Sequence, residues 1–268
     1  MMKVSKLAVS GLLLLTMAMG AGCGSKAPAE QTPAQEPAAE KETYILGTNA
    51  MFDPFEYVDD NGQVVGFDID LVKAIAEDQG FNIEVQDMAF DALIGSVQTG
   101  AIDIIAAGMT IDEDRQKQVA FSNEYIEAGL VLAVSKDNDT IKSVDDLKDK
   151  VVGAQIGTTG ADQCYALKEQ GLVKEVRILE NVNLCMMDLQ NGGLDAVIND
   201  APVTNAYMAK QPDKIKLIGE PLTVENYAIA VNLEDKALLE KINTGLENIK
   251  ANGTYDEIMN KYFGSETK

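Results

Sequence analysis

Short apolar runs that suit β-strands alternate with amphipathic segments that suit α-helices along most of this chain. In the segment Phe67–Gln79 the apolar residues recur with helical spacing, and Gly80 follows as a stop signal. The next apolar run, residues 82–88, predicts a strand. Because regular alternation of the two elements requires crossover connections between strands, the pattern predicts an α/β fold with mostly parallel sheets.

A polar stretch at residues 136–143 separates two such series of strands and helices. The chain has 268 residues, enough for two lobes of roughly 100–120 residues each. We predict that residues 43–128 and 226–268 form lobe 1 and that residues 129–225 form lobe 2. The apolar runs at 129–135 and 227–231 are the candidates for two crossover strands. Two lobes joined by two strands form a hinge, and small ligands bind in the cleft between them.

Composition restricts the chemistry that the chain can perform. It has no histidine, which removes histidine base catalysis and the commonest zinc ligand. Its 43 acidic residues against 22 basic ones give a net charge of −21, and such a surface repels nucleic acid and anionic lipid headgroups. We therefore expect no metal, no cofactor and no nucleic-acid partner. No catalytic constellation is recognisable, which predicts a protein that is not an enzyme.

The N-terminus has the pattern of an export signal. Residues 1–22 combine a basic start, an apolar run too short to span a bilayer and a zone of small residues. Cys23 follows directly and resembles the acylated cysteine of bacterial lipoproteins, although Gly20 stands where such signals usually carry Leu. An ordinary signal peptide is the alternative. Residues 23–42, rich in Ala, Pro, Glu and Gln, predict a disordered tether behind a lipid anchor at Cys23.

Two further cysteines, Cys164 and Cys185, fall on predicted amphipathic helices of lobe 2. Outside the cytoplasm they could form a disulfide. Two buried free thiols are the other interpretation, and the sequence leaves both open.

Five short strings resemble, in the same order, the motifs of the family 3 extracellular solute-binding proteins, which are amino-acid receptors of ABC importers. The strings are residues 66–79, 107–110 with Arg115, 156–160, 197–200 and 252–256. The resemblance covers about residues 43–264. It implies a two-lobed type II periplasmic-binding-protein fold and a monomeric, extracytoplasmic receptor that delivers a free L-amino acid to a membrane permease. A sensory module for a signalling receptor and an enzyme on the same fold are the rival interpretations.

A receptor for an amino acid needs a guanidinium and N–H donors for the carboxylate and an acidic group for the ammonium. From spacing alone, Arg115 could simply pair with Asp112, three residues before it. The resemblance assigns it to the ligand carboxylate. The resemblance also assigns the turn before Arg115, with Ala107, Gly108 and Thr110, to the ligand carboxylate.

A second turn, which includes Thr158 and Thr159, is also predicted to bind the ligand carboxylate. These threonines could equally cap the helix that follows. Asp200 ends a predicted strand, where a carboxylate could also cap the next helix. The resemblance assigns Asp200 to the ligand ammonium.

Aromatic and amide side chains complete the predicted site. The resemblance places Phe52 and Phe90 on either side of the ligand's aliphatic stem, where their ring faces would also favour a cation. Asn49, Gln155 and Asn199 are expected at the specificity end. The strings resemble the branch that binds basic amino acids, but that branch often carries an acidic residue in place of Asn49. Arginine, lysine or histidine is therefore the first expected ligand, and glutamine or another polar neutral amino acid the second.

Overall fold

The computed structural model describes residues 41–264. The predicted signal peptide, Cys23 and residues 24–40 of the predicted tether lie outside the described residues. Within residues 41–264 no helix is both long enough and apolar enough to cross a membrane.

The first lobe is built on a five-stranded sheet. Its strands, in spatial order, are Asn82–Asp87, Thr43–Thr48, Ile104–Ile105, Ala230–Asn232 and Val119–Phe121. The first three are parallel, and the last two run antiparallel to their neighbours. The helices of this lobe are Phe67–Gln79, Leu93–Thr99, Lys236–Ala251 and Thr254–Phe263, with single 3₁₀ turns at Phe90–Ala92 and Arg115–Lys117.

The second lobe repeats this plan. Its strands, in spatial order, are Glu175–Leu179, Val151–Gln155, Ala196–Asp200, Leu130–Ser135 and Ile215–Ile218. Again three parallel strands are followed by antiparallel ones. Its helices are Thr159–Glu169, Val182–Gln190 and Ala201–Lys210, with a 3₁₀ turn at Val144–Leu147. The predicted two-lobed α/β architecture is confirmed.

The strands that connect the lobes are not the ones predicted. A separate antiparallel pair, Ile126–Ala128 with Glu225–Tyr227, makes both crossings. The predicted crossover at 129–135 is instead the strand Leu130–Ser135, which lies inside the second sheet. Five of its six residues are buried, and an unbroken apolar run is typical of a strand covered on both faces. Ala230–Asn232 likewise belongs to the first sheet.

A small three-stranded sheet precedes the first helix and was not predicted. Its strands are Met51–Phe52, Glu56–Val58 and Val64–Val65. Gly66 ends it with φ 142°, and a Cβ there would lie 2.1 Å from the carbonyl oxygen of Phe55. Only glycine fits so close an approach. The turn brings the start of the helix Phe67–Gln79 against the strand that carries Glu56. The bounds of this helix are the ones that the sequence predicted.

Residues 112–119 contain a single 3₁₀ turn, Arg115–Lys117. The carboxylate of Asp112 accepts hydrogen bonds from the backbone N–H groups of Asp114 and Arg115, as an N-cap residue does. The turn stays short because Val119 already pairs with Asn232 in the sheet. A strand begins immediately afterwards, at Val119.

Cys164 and Cys185 are free thiols, and both are buried. Their helices contact the same two strands, Val151–Gln155 and Ala196–Asp200. The two sulfurs nevertheless belong to different hydrophobic clusters, which places the helices on opposite faces of the sheet. Burial raises the pKa of each thiol to about 12.

We expect both thiols to resist alkylation in the folded protein at pH 8, because the thiolate is the reactive form and burial suppresses it. In urea both should react. Peptide mapping after maleimide treatment measures each site separately. A Tyr165→Cys variant supplies a matched control, because Tyr165 is exposed on the helix that carries Cys164. A disulfide-linked peptide, or rapid native labelling at either site, would contradict the packing described.

Candidate functional site

A cavity lies between the two lobes, and its lining matches the sequence prediction closely. The predicted residues that line it are Asn49, Phe52, Phe90, Ala107, Gly108, Thr110, Arg115, Gln155, Thr158, Thr159 and Asp200. One further lining residue, Glu56, was not predicted. The structure therefore brings together side chains from both sheets at the ends of strands, where ligands bind in α/β folds.

The lobes contact each other around this cavity. The Gln155 side-chain amide donates a hydrogen bond to Asn49 Oδ1 across the cleft, at 3.1 Å. Asn49 in turn donates to the carbonyl of Met88, at 2.8 Å. Lys210 of the second lobe also forms an ion pair with Asp53 of the first. These contacts define a closed arrangement of the lobes.

Arg115 is buried, and its guanidinium is held on three sides. Nε pairs with Asp112 at 3.1 Å, and Nη1 donates to the carbonyl of Thr110 at 2.7 Å. Nη2 reaches across the cleft to the carbonyl of Gly157, at 3.0 Å. Arg115 therefore pairs with Asp112 and also lines the cavity, so the two interpretations are compatible. A guanidinium has five N–H groups, so two remain for an anion.

The guanidinium also lies over the ring of Phe90, 5.6 Å from its centroid. This cation–π contact favours the same orientation of the guanidinium plane. Phe52, which also lines the cavity, packs against Gly108, where a Cβ would lie 2.6 Å from the ring. With φ 54°, Gly108 also occupies the left-handed region that glycine adopts without strain.

The hydroxyl groups of the second-lobe turn are already hydrogen bonded within the protein. Thr158 Oγ1 caps the helix Thr159–Glu169 by accepting from the N–H of Ala161, and it donates to the carbonyl of Gln155. Thr159 Oγ1 donates to Glu225 at 2.8 Å. The capping interpretation is thus correct for Thr158. The turn offers an anion the first N–H groups of its helix, which have no intrahelical acceptor.

Asp200 and Asn199 follow each other in one strand and point to different places. Asp200 lines the cavity and does not cap the helix Ala201–Lys210 with its side chain. Asn199 is absent from the lining and donates to the hydroxyl of Thr204 at 3.1 Å. Successive side chains of a strand point to opposite faces, so only one of the two can face the cavity.

Burial leaves the Asp200 carboxyl partly protonated near neutral pH. Desolvation is the main cause that raises the pKa of Asp200 to about 7, and the negative charge of Glu225 adds to it. The Tyr227 hydroxyl and the positive charge of Arg115 act in the opposite direction on this pKa. A bound cation would therefore compete for this carboxyl with a proton.

Glu56 is the residue of the cavity lining that the sequence did not predict. It is fully buried, and among the described residues no N–H group or hydroxyl donates to its carboxyl oxygens; its hydrogen-bond neighbour is the carboxyl of Asp68. Burial raises the pKa of Glu56 well above its ordinary value, and the neighbouring Asp68 raises it further. The available signal was an acidic residue between Phe55 and Tyr57, a setting that favours burial.

Asp68 lies behind Glu56 and links it to the first-lobe turn. Asp68 Oδ2 accepts from the N–H of Gly108 at 2.8 Å and from the hydroxyl of Tyr125 at 2.7 Å. Its other oxygen, Oδ1, receives no hydrogen bond from an N–H group or a hydroxyl among the described residues, and the Glu56 carboxyl is a further hydrogen-bond partner of Asp68. Burial raises the pKa of Asp68 to about 6, although those hydrogen bonds counteract it. Two carboxyls side by side cannot both ionise cheaply, so this pair retains a proton.

The cavity has the groups of a small-molecule binding site. Arg115 provides two unused N–H groups, Glu56 and Asp200 provide carboxyls, and the rings of Phe52 and Phe90 provide apolar walls. Within residues 41–264 no group of three or more His, Cys, Asp or Glu side chains could hold a metal ion. Two hinged lobes with such a cleft define a solute-binding protein.

The family follows from sequence comparison. The model of the bacterial extracellular solute-binding proteins, family 3, matches residues 44–265. The chain belongs to this family, and the predicted resemblance is confirmed. Membership in a family of extracellular proteins places its role outside the cytoplasm.

Individual relatives cover most of the chain. A probable histidine-binding protein of Neisseria gonorrhoeae is 36% identical over 268 residues, covering 99% of this chain and 98% of the relative. ABC transporter arginine-binding protein 1 of Escherichia coli K12 is 37% identical over 231 residues, covering 84% and 92%. The solved structure of an ancestral arginine-binding protein bound to arginine superposes with a TM-score of 0.79 at 45% identity, covering 83% and 99%.

Replacing Asp200 with Asn should stabilise the ligand-free protein at neutral and alkaline pH. The pKa of Asp200 rises on folding from 3.8 to about 7, so between these pH values the folded state binds the proton more tightly than the unfolded chain. Stability from this group is therefore greatest at low pH and falls as pH rises through that window. Asp200→Asn should remove this fall, worth up to about 4 kcal/mol at pH 8.

Thermal unfolding of the ligand-free protein from pH 4 to pH 8 measures this effect. The same substitution at an exposed position, Asp213→Asn, provides a matched control and should melt at the wild-type temperature at pH 8. An Asp200→Asn variant that melts at or below the wild-type temperature at pH 8 would show that the carboxyl carries no desolvation cost.

Proposed function

We propose that this protein captures a free basic L-amino acid, with arginine as the first candidate, and delivers it to an ABC-type permease. The observation that carries the proposal is Glu56, a buried carboxyl in the cavity that, among the described residues, faces the Asp68 carboxyl and receives no hydrogen bond from a cation, an N–H group or a hydroxyl. A carboxyl in this state needs either a proton or a cationic partner.

The charges of the cavity complement those of arginine. Its side chains offer two acids, Glu56 and Asp200, and one guanidinium, Arg115. Free arginine offers two cations, the ammonium and the guanidinium, and one carboxylate. A neutral amino acid would satisfy only one of the two acids and would leave Glu56 dependent on its proton. The cavity thus favours a ligand with a cationic side chain.

Asn49 is neutral, and for that reason the sequence left the choice between a basic and a polar neutral ligand open. Glu56 supplies the negative charge that Asn49 lacks. The Asn49 amide is occupied by contacts with Gln155 and Met88. The acidic group comes instead from the small sheet, seven positions further along the chain. We assign Glu56 to the ligand side chain, because a carboxylate binds a guanidinium through two parallel hydrogen bonds.

The remaining roles follow the site geometry. Arg115 would bind the ligand carboxylate with its two unused N–H groups, together with the first N–H groups of the helix Thr159–Glu169. Asp200 would receive the ammonium. The rings of Phe52 and Phe90 would flank the aliphatic stem. Asn49 and Gln155 would close the cleft, and the turn at residues 107–110 would position Arg115.

Two lines of support come from relatives and from the N-terminal pattern. Proteins named as arginine-binding and histidine-binding are similar over most of the chain, and one is named as part of an ABC transporter. These names are those of binding proteins, which favours a receptor over an enzyme or a sensory module. We further propose that Cys23 carries a lipid anchor, that residues 23–42 form the tether and that the receptor acts as a monomer.

The Glu56→Gln variant should lose arginine affinity at least tenfold and should bind glutamine no more weakly than the wild type, because only the cationic side chain loses its partner. Arg115→Met should abolish binding of both ligands, because both share the α-carboxylate. Isothermal titration of each variant with arginine, lysine, histidine and glutamine measures the pattern.

Glu77→Gln is the matched control, because it makes the same substitution at an exposed position of the helix Phe67–Gln79. This variant should bind each amino acid as the wild type does. If Glu56→Gln binds arginine as tightly as the wild type, Glu56 is not the side-chain partner. If the wild type binds none of these amino acids, the proposed function itself is wrong.

Binding of arginine should release protons. In the ligand-free protein the raised pKa values of Glu56 and Asp200 keep protons on these carboxyls, and cations at the same place would lower those pKa values. Affinity should therefore increase as pH rises from about 5 to 8.

Titration at one pH in two buffers of different ionisation enthalpy measures the number of protons released. The Asp200→Asn and Glu56→Gln variants should each release fewer. Equal binding enthalpies in both buffers would mean that the carboxyls are already ionised before binding.

A further inference from the structure

The carboxylate of Glu225 joins three separate parts of the molecule. Glu225 begins the hinge strand Glu225–Tyr227. Its Oε2 accepts a hydrogen bond from Thr110 Oγ1 of the first lobe at 2.9 Å and from Thr159 Oγ1 of the second lobe at 2.8 Å. Its Oε1 accepts from Thr223 Oγ1 of the hinge segment at 2.9 Å. No Lys or Arg within residues 41–264 forms an ion pair with it.

We propose that Glu225 is a closure latch, a positioning residue that holds the two ligand-facing turns together and slows the escape of the ligand. The proposal rests on the proposed function, because it concerns the same cleft. Glu225 does not line the cavity itself. Its effect on binding would therefore act through Thr110 and Thr159, which do.

The contact belongs to the closed arrangement. Thr110 follows a strand of the first sheet, and Thr159 begins a helix of the second lobe. Both hydroxyls share one oxygen of Glu225, so the two turns must lie close together for the contact to exist. Rotation about the hinge strands would separate the turns, and Oε2 could then keep at most one of these partners.

The hinge fixes the position of this carboxylate. The Thr223 hydroxyl that donates to Glu225 also accepts from the N–H of Leu130, at 2.9 Å. Next to it, a Cβ on Gly129 would lie 2.3 Å from the carbonyl oxygen of Thr223, so the two connecting segments are in direct contact. A carboxylate held at the hinge by Thr223 can receive a hydroxyl from each lobe only when the cleft is shut.

The latch also explains how the turns can bind an anion. The hydroxyl hydrogens of Thr110 and Thr159 are committed to Glu225, which leaves backbone N–H groups and Arg115 for the ligand carboxylate. Hydrogen bonds to an ionised acceptor are the stronger kind. Three such donors satisfy Glu225 without a neighbouring cation that would compete with Arg115 for the ligand.

Stopped-flow kinetics with arginine tests the latch on the wild type, Glu225→Ala, Thr159→Val and the double variant. Glu225→Ala should release arginine about tenfold faster, as the loss of a hydrogen bond to a charged group predicts, with little change in the association rate. The double variant should release it no faster than the faster single variant, because both changes break one contact. Glu220→Ala, on an exposed neighbouring position, is the matched control and should behave as the wild type.

Small-angle scattering of the ligand-free protein tests the same latch without any ligand. Glu225→Ala should have a larger radius of gyration than the wild type, because the open arrangement gains population. This measurement separates the two proposals: if the wild type binds no amino acid, the proposed function fails, while scattering still tests the latch. Glu225→Gln keeps the shape and one carbonyl acceptor, and it should give intermediate values, which guards against a folding defect in Glu225→Ala.

Wild-type scattering in Glu225→Ala would overturn the latch. So would a wild-type dissociation rate, or rate effects of Glu225→Ala and Thr159→Val that multiply in the double variant, since independent effects would mean that Glu225 does not act through Thr159.

Discussion

Uncompensated negative charge in the closed cleft is the constraint on which the rest of the site depends. Glu56, Asp68 and Asp200 are all buried in or beside the cavity, and Arg115 is the cation among its lining residues. Desolvation of these acids destabilises the empty protein, and protons compensate for part of that cost. A ligand with two cations can replace the protons. The same imbalance therefore links ligand class, pH response and the stability of the empty receptor.

The backbone creates this imbalance through one tight turn. Gly66 allows the small sheet to fold directly onto the first helix, so that Glu56 and Asp68 become neighbours although twelve positions separate them. Asp68 is then committed to the N–H of Gly108 and the hydroxyl of Tyr125. Glu56 has no N–H or hydroxyl donor among the described residues, and its hydrogen-bond neighbour is Asp68 itself. The acid that faces the cavity is thus the one left free to bind, while its neighbour fixes the first-lobe turn.

Sequence motifs located most of the cavity lining, because each motif is a short turn at a strand end whose position the α/β fold determines. They could not locate Glu56, because its burial depends on strands of two or three residues that show no alternation. Asn199 was assigned together with Asp200 because they are adjacent in one motif, but side-chain alternation along a strand separates them. The crossover strands were misplaced because the hinge strands, only three residues each, are less apolar than the sheet strands beside them.

The residues that stabilise the closed cleft differ from the residue that distinguishes one ligand from another. The contacts of Glu225 with Thr110 and Thr159, and those of Asn49 with Gln155, form between protein groups, so they favour the closed arrangement by the same amount whichever amino acid is present. Such contacts increase the population competent to hold any ligand and raise all affinities together. A ligand is distinguished only by the free energy that differs between candidates. In the proposed receptor that difference arises at Glu56, where a cationic ligand side chain would replace a proton and a neutral side chain would not.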